Sequence, residues 1–143
     1  MRDNNKMLPE GDRLSGGRPI LVVEDSENSA AMLEIALSDI PEVNIVLASS
    51  ATEAWRILNG AGPSIRAIVT DLNMPRMDGF ELIRRVRADG RLVGTPVVVV
   101  SADTDPGTPE RIARLGISAF FAKPFSPAQV RRKLEQILNG TTD

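Results

Sequence analysis

The chain has 143 residues, 42% hydrophobic and 25% charged, with a formal net charge of −2. That is enough for one domain with its own core, and the charge argues against nucleic acid as the main partner. Cysteine and histidine are both absent, which excludes disulfides, a thiolate nucleophile, a Cys/His zinc site, a His-based triad and a phosphohistidine on this chain. Carboxylates, hydroxyls, amines and a bound metal are left to carry any chemistry.

Residues 1–18 are polar, include Gly16 and Gly17 and show no periodicity, so a flexible N-terminal tail is expected there. The N-terminus lacks the apolar core of a signal peptide, and no stretch is apolar for long enough to cross a bilayer. No membrane association and a cytoplasmic location are therefore expected. The folded domain is expected over 19–139, with 140–143 as a C-terminal tail.

Ile20-Leu21-Val22-Val23 is a continuous apolar run, the mark of a strand covered on both faces. Leu33, Ala36, Leu37 and Ile40 recur at helical spacing. Val43 to Ala48 reads as a second strand. The stripe Ala51, Ala54, Trp55 and Leu58 predicts a helix opened by a Ser50/Glu53 capping box. Ala67-Ile68-Val69 is a third strand ending at Thr70 and Asp71. A helix from about Gly79 to Ala88 follows, with Asp78 as N-cap. Val97 to Val100 is a fourth strand, started by Pro96 and ended by Ser101. Thr108-Pro109 predicts an N-cap with proline at the first helical position, and a short helix to Leu115. Ser118 to Ala122 is a fifth strand, and Ser126-Pro127 opens a helix with the stripe Val130, Leu134, Ile137 and Leu138.

Strict alternation of five strands and five helices predicts an α/β fold, a doubly wound five-stranded parallel sheet with helices on both faces. The expected order is the flavodoxin-like 2-1-3-4-5, whose ligands sit at the carboxyl ends of the strands, between strands 1 and 3. Chemical residues stand at those ends. Strand 1 ends in Glu24-Asp25, strand 3 in Asp71, strand 4 in Ser101 and strand 5 in Lys123-Pro124. Three carboxylates gathered in one crevice repel one another unless a cation intervenes. A hard divalent ion with oxygen ligands, Mg²⁺ or Mn²⁺, would relieve that repulsion. Lys123 adds an ammonium that would keep Asp71 ionised, and Ser101 adds a hydroxyl donor.

The stretches LVVEDSE, VTDLNMPRMDG, VVVVSA and FFAKPF, in this order and each at its strand end, resemble the response-regulator receiver domains of two-component signalling. The resemblance runs from about Arg18 to Asn139. It implies that Asp71 accepts a phosphoryl group from a sensor histidine kinase or a histidine phosphotransfer protein. It also implies that Asp25, Asp71 and the backbone carbonyl of Asn73 ligate the metal, with Glu24 acting through water. Ser101 becomes the switch hydroxyl, Lys123 the lysine of the site with a cis bond to Pro124, and Phe120 the rotating aromatic. Asn73 and Asp103 take the positions that tune dephosphorylation, where their short polar side chains could orient water and make the phosphoryl group short-lived. Such a chain catalyses only its own phosphorylation and dephosphorylation and is not otherwise an enzyme.

The partners implied are the phosphoryl donor and a downstream protein that reads the last helix and strand elements, with a phosphorylation-linked homodimer as a further option. No output segment follows Asn139, so a stand-alone regulator or phosphorelay intermediate is expected, though a piece of a hybrid kinase would read the same. The charge-rich set Arg111, Arg114, Arg131, Arg132 and Lys133 reads either as a solvated face or as a partner surface. A receiver-like module that binds without being phosphorylated is the alternative function. An aspartyl phosphatase resembling the haloacid dehalogenases needs a second acid where Asn73 stands, and an amide cannot serve as a general acid or base. A flavodoxin-like FMN carrier needs hydroxyls and glycine in the first loop, where this chain has EDSEN.

Overall fold

A computed structural model describes residues 17–140; residues 1–16 of the expected N-terminal tail and 141–143 of the C-terminal one lie outside this range. The elements run β1 (Arg18–Val23), α1 (Glu27–Ser38), β2 (Val43–Ala48), α2 (Ala51–Leu58), β3 (Ala67–Thr70), α3 (Gly79–Ala88), β4 (Val97–Ser101), α4 (Thr108–Ala113), β5 (Ala119–Ala122) and α5 (Pro127–Asn139). The strands form one parallel sheet in the order β2-β1-β3-β4-β5, as the alternation predicts.

Side chains alternate across a strand, so each apolar run feeds two cores. Leu21, Val23, Ile68, Val97 and Val99 face one side and pack with Ala54, Leu82, Ile83, Val86 and Ile112 of α2, α3 and α4. Ile20, Val22, Ala67, Val69, Val98 and Val100 face the other and pack with Leu33, Leu37, Val130 and Leu134 of α1 and α5. Burial on both faces is why β1 carries no polar residue after its first position, Arg18, and β3 and β4 none before their last, Thr70 and Ser101.

Local signals start the helices where hydroxyl or carboxylate caps were read. Ser50, Asp78 and Ser126 each accept a backbone N–H three residues on. The Glu53 carboxylate closes its box one residue early, on the Ser49 N–H at 2.9 Å rather than that of Ser50. α1 is capped by Ser26.

Besides small shifts, with α4 ending at Ala113 rather than Leu115 and β5 starting at Ala119 rather than Ser118, three assignments differ from the sequence expectation. Arg18, placed in the tail, is the first residue of β1. Its N–H donates to Glu42 O at 2.8 Å, and its guanidinium reaches Pro41 O and Asn139 Oδ1, so the strand begins where these groups need a donor. Gly140, also placed in a tail, ends α5 with φ of 75°, a left-handed conformation that glycine adopts without a Cβ penalty. Thr108 is not the N-cap of α4. Gly107 holds that position, and the Thr108 hydroxyl, buried, donates instead to Asp103 Oδ1 at 2.9 Å.

Two devices fix loops, one at the carboxyl ends of the strands and one at the amino ends of β4 and β5. The Gly79 N–H donates to Leu72 O at 2.8 Å, closing the β3–α3 loop on itself. A Cβ on Gly79 would lie 2.1 Å from Asp71 O, so only glycine fits this approach. Arg87 on α3 donates to the carbonyls of Val93, Thr95, Leu115 and Gly116, joining α3 to the segments that enter β4 and β5.

Candidate functional site

β1 and β3 are neighbours in register, Val23 opposite Thr70, so the residues following each strand emerge side by side. Glu24, Asp25 and Asp71 each bring a carboxylate oxygen within 4.8 Å of the others. Glu24 and Asp71 are buried and Asp25 is exposed, which gives the cluster a closed floor and an open mouth.

Lys123, carried past the end of β5, reaches this floor. Its Nζ lies 2.9 Å from Glu24 Oε1 and 3.0 Å from Asp71 Oδ2. The Lys123–Pro124 peptide bond is cis. Asp71 Oδ1 accepts the Leu72 N–H at 2.6 Å and the Asn73 N–H at 3.4 Å, so the carboxylate is held from two sides. The Thr70 hydroxyl donates to Asp71 O at 2.8 Å and anchors the backbone there.

Burial raises the Glu24 pKa above its ordinary value, and the neighbouring Asp71 charge adds to this. The Lys123 ammonium and the Ser26 N–H pull it back only in part. Burial works against the charge of Lys123 as well, but its hydrogen bonds to Glu24 and Asp71 outweigh it and hold the ammonium above its usual pKa. One ammonium facing two buried carboxylates, with a third beside them, leaves negative charge uncompensated.

That imbalance bears on whether a metal fits. The one close partner of the buried Glu24 Oε1 among the described residues is the Lys123 ammonium at 2.9 Å, which is shared with Asp71. A cluster of hard carboxylate oxygens with a single shared ammonium suits Mg²⁺ or Mn²⁺ and does not suit a soft metal.

Ser101 is fully buried at the end of β4, and its Oγ accepts the Asp103 N–H at 3.1 Å. Asp103 Oδ1 accepts the Asp105 N–H at 2.8 Å and the Thr108 hydroxyl. These two bonds, with a lesser one from the Asn73 side chain, lower the Asp103 pKa. Asn73 and Asp103 therefore meet across the crevice, and Asp103 also shapes the β4–α4 loop. Phe120 lies beside Val99 in edge strand β5, half-buried against the core under α2, α3 and α4. It is not part of the carboxylate cluster. Thr70, Gly79 and Thr108 were not singled out for the site from sequence. A hydroxyl ahead of an acidic strand end and a glycine closing DLNMPRMDG were the available signals.

The response regulator receiver domain family matches residues 20–135. The chain belongs to this family. The receiver domain is 35% identical over 126 residues to the chemotaxis protein CheY1 of Helicobacter pylori, covering 87% of this chain and 98% of that protein. Among solved structures it resembles a response regulator receiver protein from Pseudomonas putida, with a TM-score of 0.76 and 29% identity over 84% of this chain and 97% of that one. It also resembles the signal receiver domain of a signal transduction histidine kinase from Syntrophus aciditrophicus, with a TM-score of 0.77 and 28% identity over 87% and 92%. Receiver domains take phosphoryl groups from histidine kinases and act on downstream partners. Among the described residues no helix is long and apolar enough to cross a membrane.

Proposed function

We propose that this receiver domain accepts a phosphoryl group on Asp71 from a phosphohistidine of a histidine kinase or phosphotransfer protein, in a reaction that requires Mg²⁺ or Mn²⁺. The observation that carries the reading is the convergence of Glu24, Asp25 and Asp71 within 4.8 Å, with Lys123 bridging the two buried members. The working unit in this reading runs from β1 to α5, which the family match over residues 20–135 supports.

Asp25, Asp71 and the Asn73 carbonyl would hold the cation, with Glu24 assisting through water. Bound there, the ion would neutralise the acidic cluster and the charge of the phosphoryl oxygens. An Asp71 carboxylate oxygen forms the new O–P bond as the donor's N–P bond breaks, and the leaving imidazole keeps the electron pair and takes a proton from solvent. Lys123, shared between two carboxylates at rest, turns to a phosphoryl oxygen once Asp71 loses its free charge. The Ser101 hydroxyl donates to another phosphoryl oxygen. Its Oγ already receives the Asp103 N–H, so its motion pulls on the β4–α4 loop, and Phe120 repacks with it.

The surface of α4, β5 and α5 then changes for a downstream protein, and a phosphorylation-linked homodimer would use the same face. Asn73 and Asp103 orient the water that removes the phosphoryl group, and Asp103→Lys should lengthen its lifetime. The phosphohistidine donor puts the domain in the cytoplasm.

Beryllofluoride with Mg²⁺, a mimic of the aspartyl phosphate, tests the reading. Amide NMR signals of Asp71, Ser101 and Lys123 should shift in the wild type and stay still in Asp71→Ala. A response that survives in Asp71→Ala, or none in the wild type, would favour the phosphorylation-independent binding module.

A further inference from the structure

Between the β3–α3 loop and α4 runs a groove of about 310 Å³ whose floor is Met77, Phe80 and Leu115 and whose rim carries Arg76 and Arg111. The charges on this rim are unequally satisfied. Glu81 lines the groove, but its carboxylate is taken by Arg84 and Arg85, which lowers its pKa. Asp78 is used as the cap of α3 through the Glu81 N–H. Arg87 is spent on four carbonyls, and Arg114 on Glu110. Arg76 and Arg111 differ. Among the described residues neither forms an ion pair within 4 Å; the Arg111 charge acts on Asp103 only at longer range, and its guanidinium stacks on the Phe80 ring at 3.8 Å, which leaves its N–H fork free of a direct partner. Arg76 is exposed on a backbone with φ of 68°, a left-handed conformation that an arginine rarely adopts.

We infer that this groove is a docking surface for an acidic peptide segment of a partner protein, with apolar side chains on the Met77–Phe80–Leu115 floor and carboxylates on Arg76 and Arg111. An apolar floor between two unpaired guanidiniums complements a segment that alternates acidic and apolar residues. Nucleic acid would match the charge but leave the aliphatic part of the floor unused. The surface lies on the α3–α4 side and shares only α4, through Arg111, with the α4–β5–α5 face.

Fluorescence anisotropy with a short labelled peptide alternating Glu and Leu tests the inference on the full chain. The wild type should bind it, and bind a Lys–Leu peptide of equal length or an oligouridylate more weakly. Arg76→Glu and Arg111→Gln, each checked for folding by circular dichroism, should weaken binding by about tenfold. Arg132→Glu on α5 should leave it unchanged. No binding to the wild type, equal affinity in both groove variants, an equal loss in Arg132→Glu, or equal binding of oligouridylate would overturn it. Acetyl phosphate labelling of the same variants reports separately on Asp71, so failure of the groove and failure of the phosphoacceptor reading can be told apart.

Discussion

Adding one methyl group at Gly79 should disable the site without touching any of its charges. A Cβ there would sit 2.1 Å from Asp71 O and 2.8 Å from Leu72 Cα, where ordinary contact begins at 3.4 Å. Both obstacles are backbone, so no rotamer change relieves them, and the β3–α3 loop must open by more than an ångström. Overpacking of this kind costs about 1–3 kcal/mol. Stretching the Gly79 N–H bond to Leu72 O costs about 1 kcal/mol more, while the stiffer unfolded chain of an alanine variant returns about 0.5–1 kcal/mol. The net loss for Gly79→Ala is about 2 kcal/mol, which lowers the urea midpoint by roughly 1 M at a slope of about 2 kcal/mol/M. Trp55 on α2 gives a fluorescence signal for that titration. The same opening displaces the Asp71 carbonyl, and with it the Leu72 and Asn73 N–H groups that aim the carboxylate. Labelling by acetyl phosphate should therefore slow by roughly a hundredfold under conditions where the variant is folded. A midpoint equal to wild type, or full-speed labelling, would refute the close-approach argument.

Arg87→Met should lower stability by about 3 kcal/mol, because four carbonyls lose a charged donor, two of them facing solvent that can replace it; denaturation measures the loss, and labelling of the folded fraction should be unchanged. The raised pKa of Glu24 means that its protonated form is favoured in the fold. That contribution is present below about 4.5 and is lost as pH rises through the folded value, so metal-free Glu24→Gln should gain stability over wild type at neutral pH, with the difference closing in acid. The depressed pKa of Asp103 has the opposite sign. Its support for the β4–α4 loop is present above its ordinary value and fades as pH falls through the folded one, so Asp103→Asn should speed hydrogen exchange at the Asp105 amide at neutral pH and converge with wild type in acid. Lys123→Met should destabilise the metal-free protein by about 3 kcal/mol, since removing one partner strands the buried Glu24 and Asp71 charges, and urea titration reads this directly.

Strand and helix identities were legible because burial on both faces of β1, β3 and β4 writes itself as unbroken Ile, Leu and Val, and because Ser50, Asp78 and Ser126 cap their helices through bonds only three residues long. The sheet order was legible from the alternation, and that order alone told which strand ends would meet. Thr108 misled because proline in the next position fits both a cap and a first helical residue, and its hydroxyl is claimed by Asp103 five residues back. Arg18 misled because its partners, Glu42, Pro41 and Asn139, lie far along the chain. The same distance hid Arg87, whose carbonyls come from two separate segments. At the site, the acids and Lys123 could be read from strand ends. The second use of Asp103, as the brace of its own loop, could not, because it depends on where Thr108 and Asp105 fold back.

The central claim is that Asp71 is the residue that takes the phosphoryl group. Intact-mass spectrometry of the folded chain with acetyl phosphate and Mg²⁺ tests it most directly. The account predicts one phosphoryl group on the wild type, lost when the divalent ion is chelated and never seen on Asp71→Ala. Equal labelling of Asp71→Ala, or an unmodified wild type, would contradict it.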